Sequence, residues 1–463
     1  MTQTETLSID QIRQQDRDHA WHPLMQHSTL DNRDLMVIQE ARGTTIVDGE
    51  GKSYLDAASG LWNVNVGYGR EEIAEAVYRQ IKELPFYPHS QINVPATQLA
   101  TRLAQILPGD LQHIFYCNSG SEANETAFKI ARQYGRQKYP GQNRYKIIAR
   151  YQGYHGFTFG AMSATGQVGR RVKFEPLVPG FLHVDPPYCY RCPVGLKFPS
   201  CKFQCLESGM EMADANFSAK PAAFIAEPIL SAGGVIVPPK GYYEAVRKAC
   251  DDRGMLLIFD ESQTGLGKTG KLFGYQHEEG VNPDIITISK HFGGGLPISA
   301  VCTTDKIAQL AVDAGYFATR SHATDPLLCA AGEESLKIVV EEDMPGRAAR
   351  IERRIKGAFR NMAKEFDLIG DIRGRGVLLG IEFVTDRVKK TPANKEVSAM
   401  FEYCLSHGLI FQTRGVRDLK NVIRLVPPMT SSNAEVDRAM SIMYDALSAV
   451  TKGRRKKKSK RAA

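Results

Sequence analysis

Two side chains in the stretch Met255 to Pro297, Asp260 and Lys290, are of types and spacing that could do chemistry together. Asp260 closes the apolar run Leu256 to Phe259, and Lys290 follows the run Ile285 to Ile288. Runs this short and this apolar read as strands covered on both faces, which means neighbouring parallel strands with helical crossovers. Ligands of such sheets sit at the strands' carboxyl ends. An amine and a carboxylate at that edge suit imine chemistry. The lysine condenses with an aldehyde, and the buried carboxylate keeps a heterocyclic nitrogen protonated, which are the two demands of pyridoxal phosphate. Taken alone, Lys290 could equally be a solvated lysine and Asp260 a helix cap.

A second stretch supplies what such a cofactor would still need. In FYCNSGSEANETAFKIARQYG an apolar strand passes through Asn118-Ser119-Gly120-Ser121 into a helix whose apolar face is Ala123, Ala127, Ile130 and Ala131. Ser119 and Glu122 have the spacing of a capping box. Free backbone N–H groups at the helix start, close approach at Gly120 and the Ser121 hydroxyl would together cup a phosphate. A cap with no ligand is the commoner fate of such a sequence. Tyr154-His155-Gly156 follows KIIARYQG, where a tyrosine could lie on a flat ring or simply fill the core. Glu227 in AFIAEPILSAGG and Arg424 in VIRLVPPM also end apolar runs. If both border one pocket, Arg424 can bind a carboxylate in bidentate fashion, and Glu227 can pair with it when no anion is present.

The elements that must position these residues follow from periodicity. Residues 1 to about 40 read as a helix and a loop, and TTIVDGEGKSYLDAASG as a hairpin around Asp-Gly-Glu-Gly. Ile73, Val77 and Ile81 begin a helical pattern. Strand and helix signals alternate to about residue 330, and LIGDIRGRGVLLGIEFV reads as a glycine-punctuated strand pair. The expected organisation is an α/β chain with a mostly parallel doubly wound sheet in a large domain at 76–330. A small α+β domain is expected from both chain ends, 1–75 and 331–450, followed by a basic disordered tail at 451–463.

Composition excludes little but locates the charge. Hydrophobic content of 43% and charged content of 24% are ordinary for a globular protein. No apolar run reaches the length of a membrane span, and the first twenty residues lack a hydrophobic signal core, so a cytoplasmic protein is expected. The net charge of +8 is matched by the eight positive charges of Lys452 to Arg461, leaving the body formally neutral. Neither a membrane nor a nucleic-acid partner is expected. Nine cysteines are scattered apart from Cys189, Cys192, Cys201 and Cys205 in YCYRCPVGLKFPSCKFQC. These could offer four thiolates to zinc or pack a reduced insertion loop; no metal is expected.

Together these motifs resemble class III, fold-type I pyridoxal-phosphate aminotransferases, from about Trp21 to about Leu447. The resemblance implies that Lys290 is the Schiff-base lysine and Asp260 the partner of the pyridine nitrogen. It implies that Gln263 reaches the ring hydroxyl, that Ser119, Gly120 and Ser121 hold the phosphate, and that Tyr154 covers the ring with His155 beside it. Arg424 would receive a carboxylate under the influence of Glu227. Ser321 would bind the phosphate of a neighbouring subunit, implying a homodimer with shared sites, or a tetramer of such dimers. Ser262 departs from the family, which usually has valine or alanine there. SGLWNVNVGYGR and ELPFY resemble amine:pyruvate transaminases, in which Leu61 and Trp62 line the substrate pocket. EPILSAGGVI, DESQTGLGKTG, SKHFGGGLP, SHATDPL and DIRGRGVLLGIEF instead resemble dialkylglycine decarboxylase. That enzyme's pocket glutamine, serine and ring-covering tryptophan are Leu61, Ala232 and Tyr154 here. The implied reaction moves an amino group from a primary amine or ω-amino acid to a 2-oxo acid such as pyruvate, with decarboxylating transamination as the alternative. Arg414 or Arg417 in TRGVRDLKN would be a second carboxylate ligand.

Overall fold

The structure is a computed structural model that describes residues 7–23, 35–215, 220–414 and 420–462, with side chains left out at 414 and 453–462. Its centre is a seven-stranded sheet in the order His113–Cys117, Ser299–Thr303, Ile285–Ile288, Leu256–Asp260, Ala223–Ala226, Ile147–Arg150, Phe181–Val184. The last five strands are parallel, and Ser299–Thr303 runs antiparallel to both its neighbours. Chain length explains the exception. Ten residues separate Ile288 from Ser299, too few for a helical crossover, so the chain can only turn back. That tight return contains Lys290.

The two strands read from the sequence, Leu256–Asp260 and Ile285–Ile288, pair in parallel, and every residue in them is buried. The helix Gly120–Lys138 lays Ala123, Ala127, Ile130 and Ala131 against one sheet face. Tyr243, Val246 and Cys250 of the helix Tyr242–Arg253 join the core on the other. The hairpin Thr45–Asp48 with Ser53–Asp56 is present, and Leu409–Ile410 pairs in parallel with its second strand, so segments from the two ends of the chain share one sheet. Ile369–Arg375 and Leu378–Asp386 form the glycine-punctuated pair, with Val422–Leu425 alongside. That register carries Arg424.

The cysteine-bearing insertion docks on this second hairpin through Glu382, buried at 1% exposure, which accepts from Tyr188, Arg191, Arg373 and Asn421. All nine cysteines are free thiols, and no group of three or more His, Cys, Asp or Glu side chains able to hold a metal occurs among the described residues. The basic tail differs from expectation: the helix Asn433–Ala462 continues through it. Lysine and arginine have high helix propensity, and extending a helix already nucleated by a packed segment costs little. Among the described residues no helix is long and apolar enough to cross a membrane.

Candidate active site

Asp260 is the last residue of its strand, and Lys290 stands two residues past the neighbouring one with φ +57 at the start of the turn Lys290–Phe292. Asp260 lies opposite Thr287 in the parallel register, so both groups reach the same sheet edge. There they line a cleft of about 420 Å³ together with Gln263 and Ser262. Gly120, Ser121, Tyr154, His155 and Glu227 line it from the other strand ends. Residues spread over 170 positions of sequence thus meet because parallel strands deliver their carboxyl ends to one edge.

Asp260 is 3% exposed and is held in a closed network. Its Oδ2 accepts from His155 Nδ1 at 2.9 Å and from Asn124 Nδ2 at 2.8 Å, and its Oδ1 accepts from the Ser262 amide at 3.1 Å. Asn124 is oriented in turn by the Thr287 hydroxyl, which donates to its Oδ1 at 2.9 Å. Burial opposes the charge, but the hydrogen bonds, led by His155, outweigh it and hold the carboxyl below the usual aspartate value. The opposite balance holds at Lys290. Burial depresses its ammonium more than Asp260 and Glu227 support it, and Arg424 adds to the depression. An amine so shifted is readier to act as nucleophile and base.

Ser119 caps the helix Gly120–Lys138, its hydroxyl accepting from the Glu122 amide at 3.2 Å. The reciprocal half of the expected box goes one residue further back, with Glu122 Oε2 accepting from the Asn118 amide at 3.0 Å. The Ser119 hydroxyl is therefore spent on the cap, while Gly120 and Ser121 face the cleft. The Ser121 hydroxyl also accepts from the Phe157 amide at 3.0 Å, which ties the cup to the Tyr154 loop.

Glu227 is satisfied by two backbone amides, Tyr154 N at 2.9 Å on Oε1 and Ser231 N at 3.1 Å on Oε2. Arg424 reaches the Ser231 carbonyl at 3.5 Å and lies over the Trp62 ring at 4.5 Å. Both groups thus contact the backbone of Ser231, Glu227 at its N–H and Arg424 at its carbonyl. Burial pushes the Glu227 carboxyl up to about 7. Arg150, which is also buried, fixes the Glu227 carbonyl from below.

Leu61 and Trp62 lie on a turn the sequence does not announce. Ser59, Gly60, Leu61 and Trp62 have φ values of +47, +51, +65 and +67, a left-handed turn that costs roughly 1–2 kcal/mol for each residue other than glycine. Trp62 is buried with its ring between Arg424 and Lys290, the latter's Nζ at 6.0 Å, and its indole N–H has no acceptor among the described residues. Leu61 is open to solvent. Ser321 is exposed on the loop after residue 314 and does not line the cleft of its own chain. Arg417 lies outside the described residues, as does the side chain of Arg414. Asn124, Thr287 and the fully buried Lys268 were missed from sequence. Asn124 carried a signal, being a polar residue on an otherwise alanine-rich helix face.

A doubly wound sheet with a depressed lysine beside an ionised aspartate, both facing a helix N-terminus, is the framework of an enzyme working through a phosphate-bearing aldehyde. The chain belongs to the class-III aminotransferases, whose family profile matches residues 28–447. An uncharacterised aminotransferase of Bacillus subtilis (strain 168) is 42% identical to it, over 90% of this chain and 92% of the relative. A taurine–pyruvate aminotransferase of Bilophila wadsworthia is 36% identical, over 92% of this chain and 94% of the relative. The crystal structure of an (S)-enantioselective omega-transaminase from Thermomicrobium roseum superposes with a TM-score of 0.90 at 36% identity, covering 96% of this chain and all of that one.

Class III aminotransferases depend on pyridoxal phosphate, and the residues present fit it. Gln263 Oε1 and Ser262 Oγ are buried with no hydrogen-bond partner among the described residues, as polar atoms awaiting a ligand would be. The Ser262 hydroxyl lies 3.1 Å from where a Cβ on Gly120 would stand, beside the phosphate cup. Gly156 sets the shape of that cup. Its φ is +135, and an added Cβ would fall 2.4 Å from Ser121 Oγ and 2.8 Å from Ala161 Cβ. Gly156→Ala is expected to weaken cofactor retention about tenfold or more, equal to about 1.4 kcal/mol, with circular dichroism unchanged. Equilibrium dialysis against pyridoxal phosphate checks this.

Proposed function

We propose that this aminotransferase binds pyridoxal phosphate at Lys290 and moves an amino group from a primary amine or ω-amino acid to a 2-oxo acid, pyruvate in the first instance. The observation that carries this reading is Arg424, whose guanidinium lies over the Trp62 ring at 4.5 Å, the same ring that Lys290 Nζ approaches at 6.0 Å. A guanidinium held over Trp62 suits a small carboxylate-bearing acceptor in one half-reaction and an amine without an α-carboxylate in the other. The relatives named for taurine–pyruvate and omega-transamination support the same assignment.

Bound pyridoxal phosphate would supply an aldehyde to take up the amine and a cationic ring to accept electrons from the substrate carbon. The chain supplies the rest. Lys290, neutral once its ammonium is depressed, takes the proton from the substrate carbon on Nζ and returns it during transfer. Asp260, kept anionic by His155, Asn124 and Ser262, holds the proton on the ring nitrogen. Gly120 and Ser121 would hold the phosphate at the helix N-terminus, with Tyr154 and Gln263 placed to hold the ring. Arg424 orients the carboxylate of the 2-oxo acid.

The test follows the visible absorbance of the cofactor-loaded protein during single half-reactions. The donors are a simple primary amine, β-alanine, 4-aminobutyrate, taurine and 2-aminoisobutyrate, with carbon dioxide recorded in parallel. Bleaching by the amine or an ω-amino acid without gas, reversed by pyruvate, is the expected result. Gas release from 2-aminoisobutyrate, or no response to any donor, would contradict the assignment.

A further inference from the structure

We propose that Asp56 is a positioning residue for the substrate pocket, its carboxylate locking the left-handed turn Ser59–Trp62 and so seating Trp62 against Arg424. The inference rests on the pocket assigned above. Its starting point is strain: three residues other than glycine hold positive φ in succession around Gly60, and such a turn persists only where its surroundings over-determine it.

Asp56 provides most of that determination. It ends the strand Ser53–Asp56, paired on both sides, so its Cα cannot follow a relaxing turn. Its Oδ1 accepts from the Ala58 amide at 2.8 Å, and its Oδ2 from the Gly60 amide and the Tyr68 hydroxyl, each at 2.6 Å. The carboxylate, 4% exposed, thus pins two amides of the chain entering the turn, with Tyr68 as a third donor that fixes its orientation. The first residue of the turn is tied to the chain just after the strand bearing Arg424, because the Ser59 hydroxyl donates to the Val426 carbonyl at 2.6 Å. Lys268 Nζ reaches the Trp62 carbonyl at 3.4 Å. A right-handed or extended path through these residues would break the Asp56 contacts and withdraw the indole from the guanidinium.

The chain has two tryptophans, and Trp21 is 88% exposed, so a Trp21→Phe background leaves Trp62 as the sole indole reporter. In that background, Asp56→Asn places an amide N–H against N–H donors. The cofactor-free protein is expected to emit at longer wavelength as Trp62 leaves its buried seat. With the holoenzyme, KM for pyruvate should rise about tenfold while kcat stays within about threefold, the share expected for a charge-assisted bond that places a binding group. Tyr68→Phe, which removes one donor and keeps the carboxylate, should shift both readouts the same way, with KM up about threefold.

Unchanged emission with unchanged KM in folded Asp56→Asn would overturn the proposal, as would a fall in kcat at constant KM. Should Asp56→Asn fail to fold, Tyr68→Phe decides by the same two criteria. Emission is read without cofactor or substrate, so inactivity of the parent toward every donor would refute the assigned reaction and leave the test of the turn intact.

Discussion

Lys290→Ala is expected to lower amino transfer by about 10⁴-fold or more, because one amine serves both as the attachment point and as the proton carrier. The structure gives no substitute. Among the described residues Lys268 is a second lysine near Lys290, but it is fully buried, directed at the Trp62 carbonyl and absent from the cleft wall. Burial and the proximity of Lys290 hold its pKa well below the ordinary lysine value. The variant should fold, since the Lys290 side chain lines the cleft and, among the described residues, anchors no hydrogen bond or ion pair of the fold. Single-turnover absorbance with saturating pyridoxal phosphate measures the effect. Retention of even a tenth of the wild-type rate would remove Lys290 from the chemistry.

Asp260→Asn is expected to cost about 10³-fold in rate, in the range for losing a preorganised electrostatic partner of the reacting group. The cost has two sources in this structure. An asparagine cannot hold the ring nitrogen protonated by charge. Its NH₂ would also face one of the donors, His155, Asn124 or the Ser262 amide, that now converge on the two carboxylate oxygens. The sign of the pH dependence is fixed by the direction of the shift. Asp260 has a folded-state pKa below its ordinary value of 3.8, so its stabilising contribution is complete above that value. It is lost only as pH falls through the lower folded value. Cofactor retention attributable to Asp260 should therefore be flat from about pH 5 upward and decline only in strong acid. Absorbance of the bound cofactor against pH, compared between wild type and Asp260→Asn, checks both statements.

The chemistry was more legible in the sequence than the geometry that serves it. Asp260 and Lys290 could be found because each follows a short apolar run, and a parallel sheet makes strand ends functional positions. The helix start beside the cleft was legible because a cap at Ser119 and a small residue at Gly120 leave a local signature. The antiparallel strand Ser299–Thr303 was not read from the sequence, although the ten residues before it are too few to carry a helix across a sheet. What stayed hidden depends on distances between elements far apart in the chain. The support of Asp260 by Asn124 and Thr287 joins a helix to the next strand, and no local pattern encodes that contact. Glu227 and Arg424 have opposite charges and could pair, but what the sequence does not announce is that the Tyr154 and Ser231 amides both donate to the carboxylate. The turn at Ser59–Trp62 was hidden for a different reason. Local propensity opposes positive φ at serine, leucine and tryptophan, so only the tertiary ties from Asp56 and Val426 select it.

The measurement closest to the central claim is peptide mapping of the protein loaded with pyridoxal phosphate and treated with borohydride. A single reduced adduct on the peptide containing Lys290, lost in Lys290→Ala, is the predicted outcome. An adduct on Lys268 or on any other lysine, with Lys290 unmodified, would contradict the account.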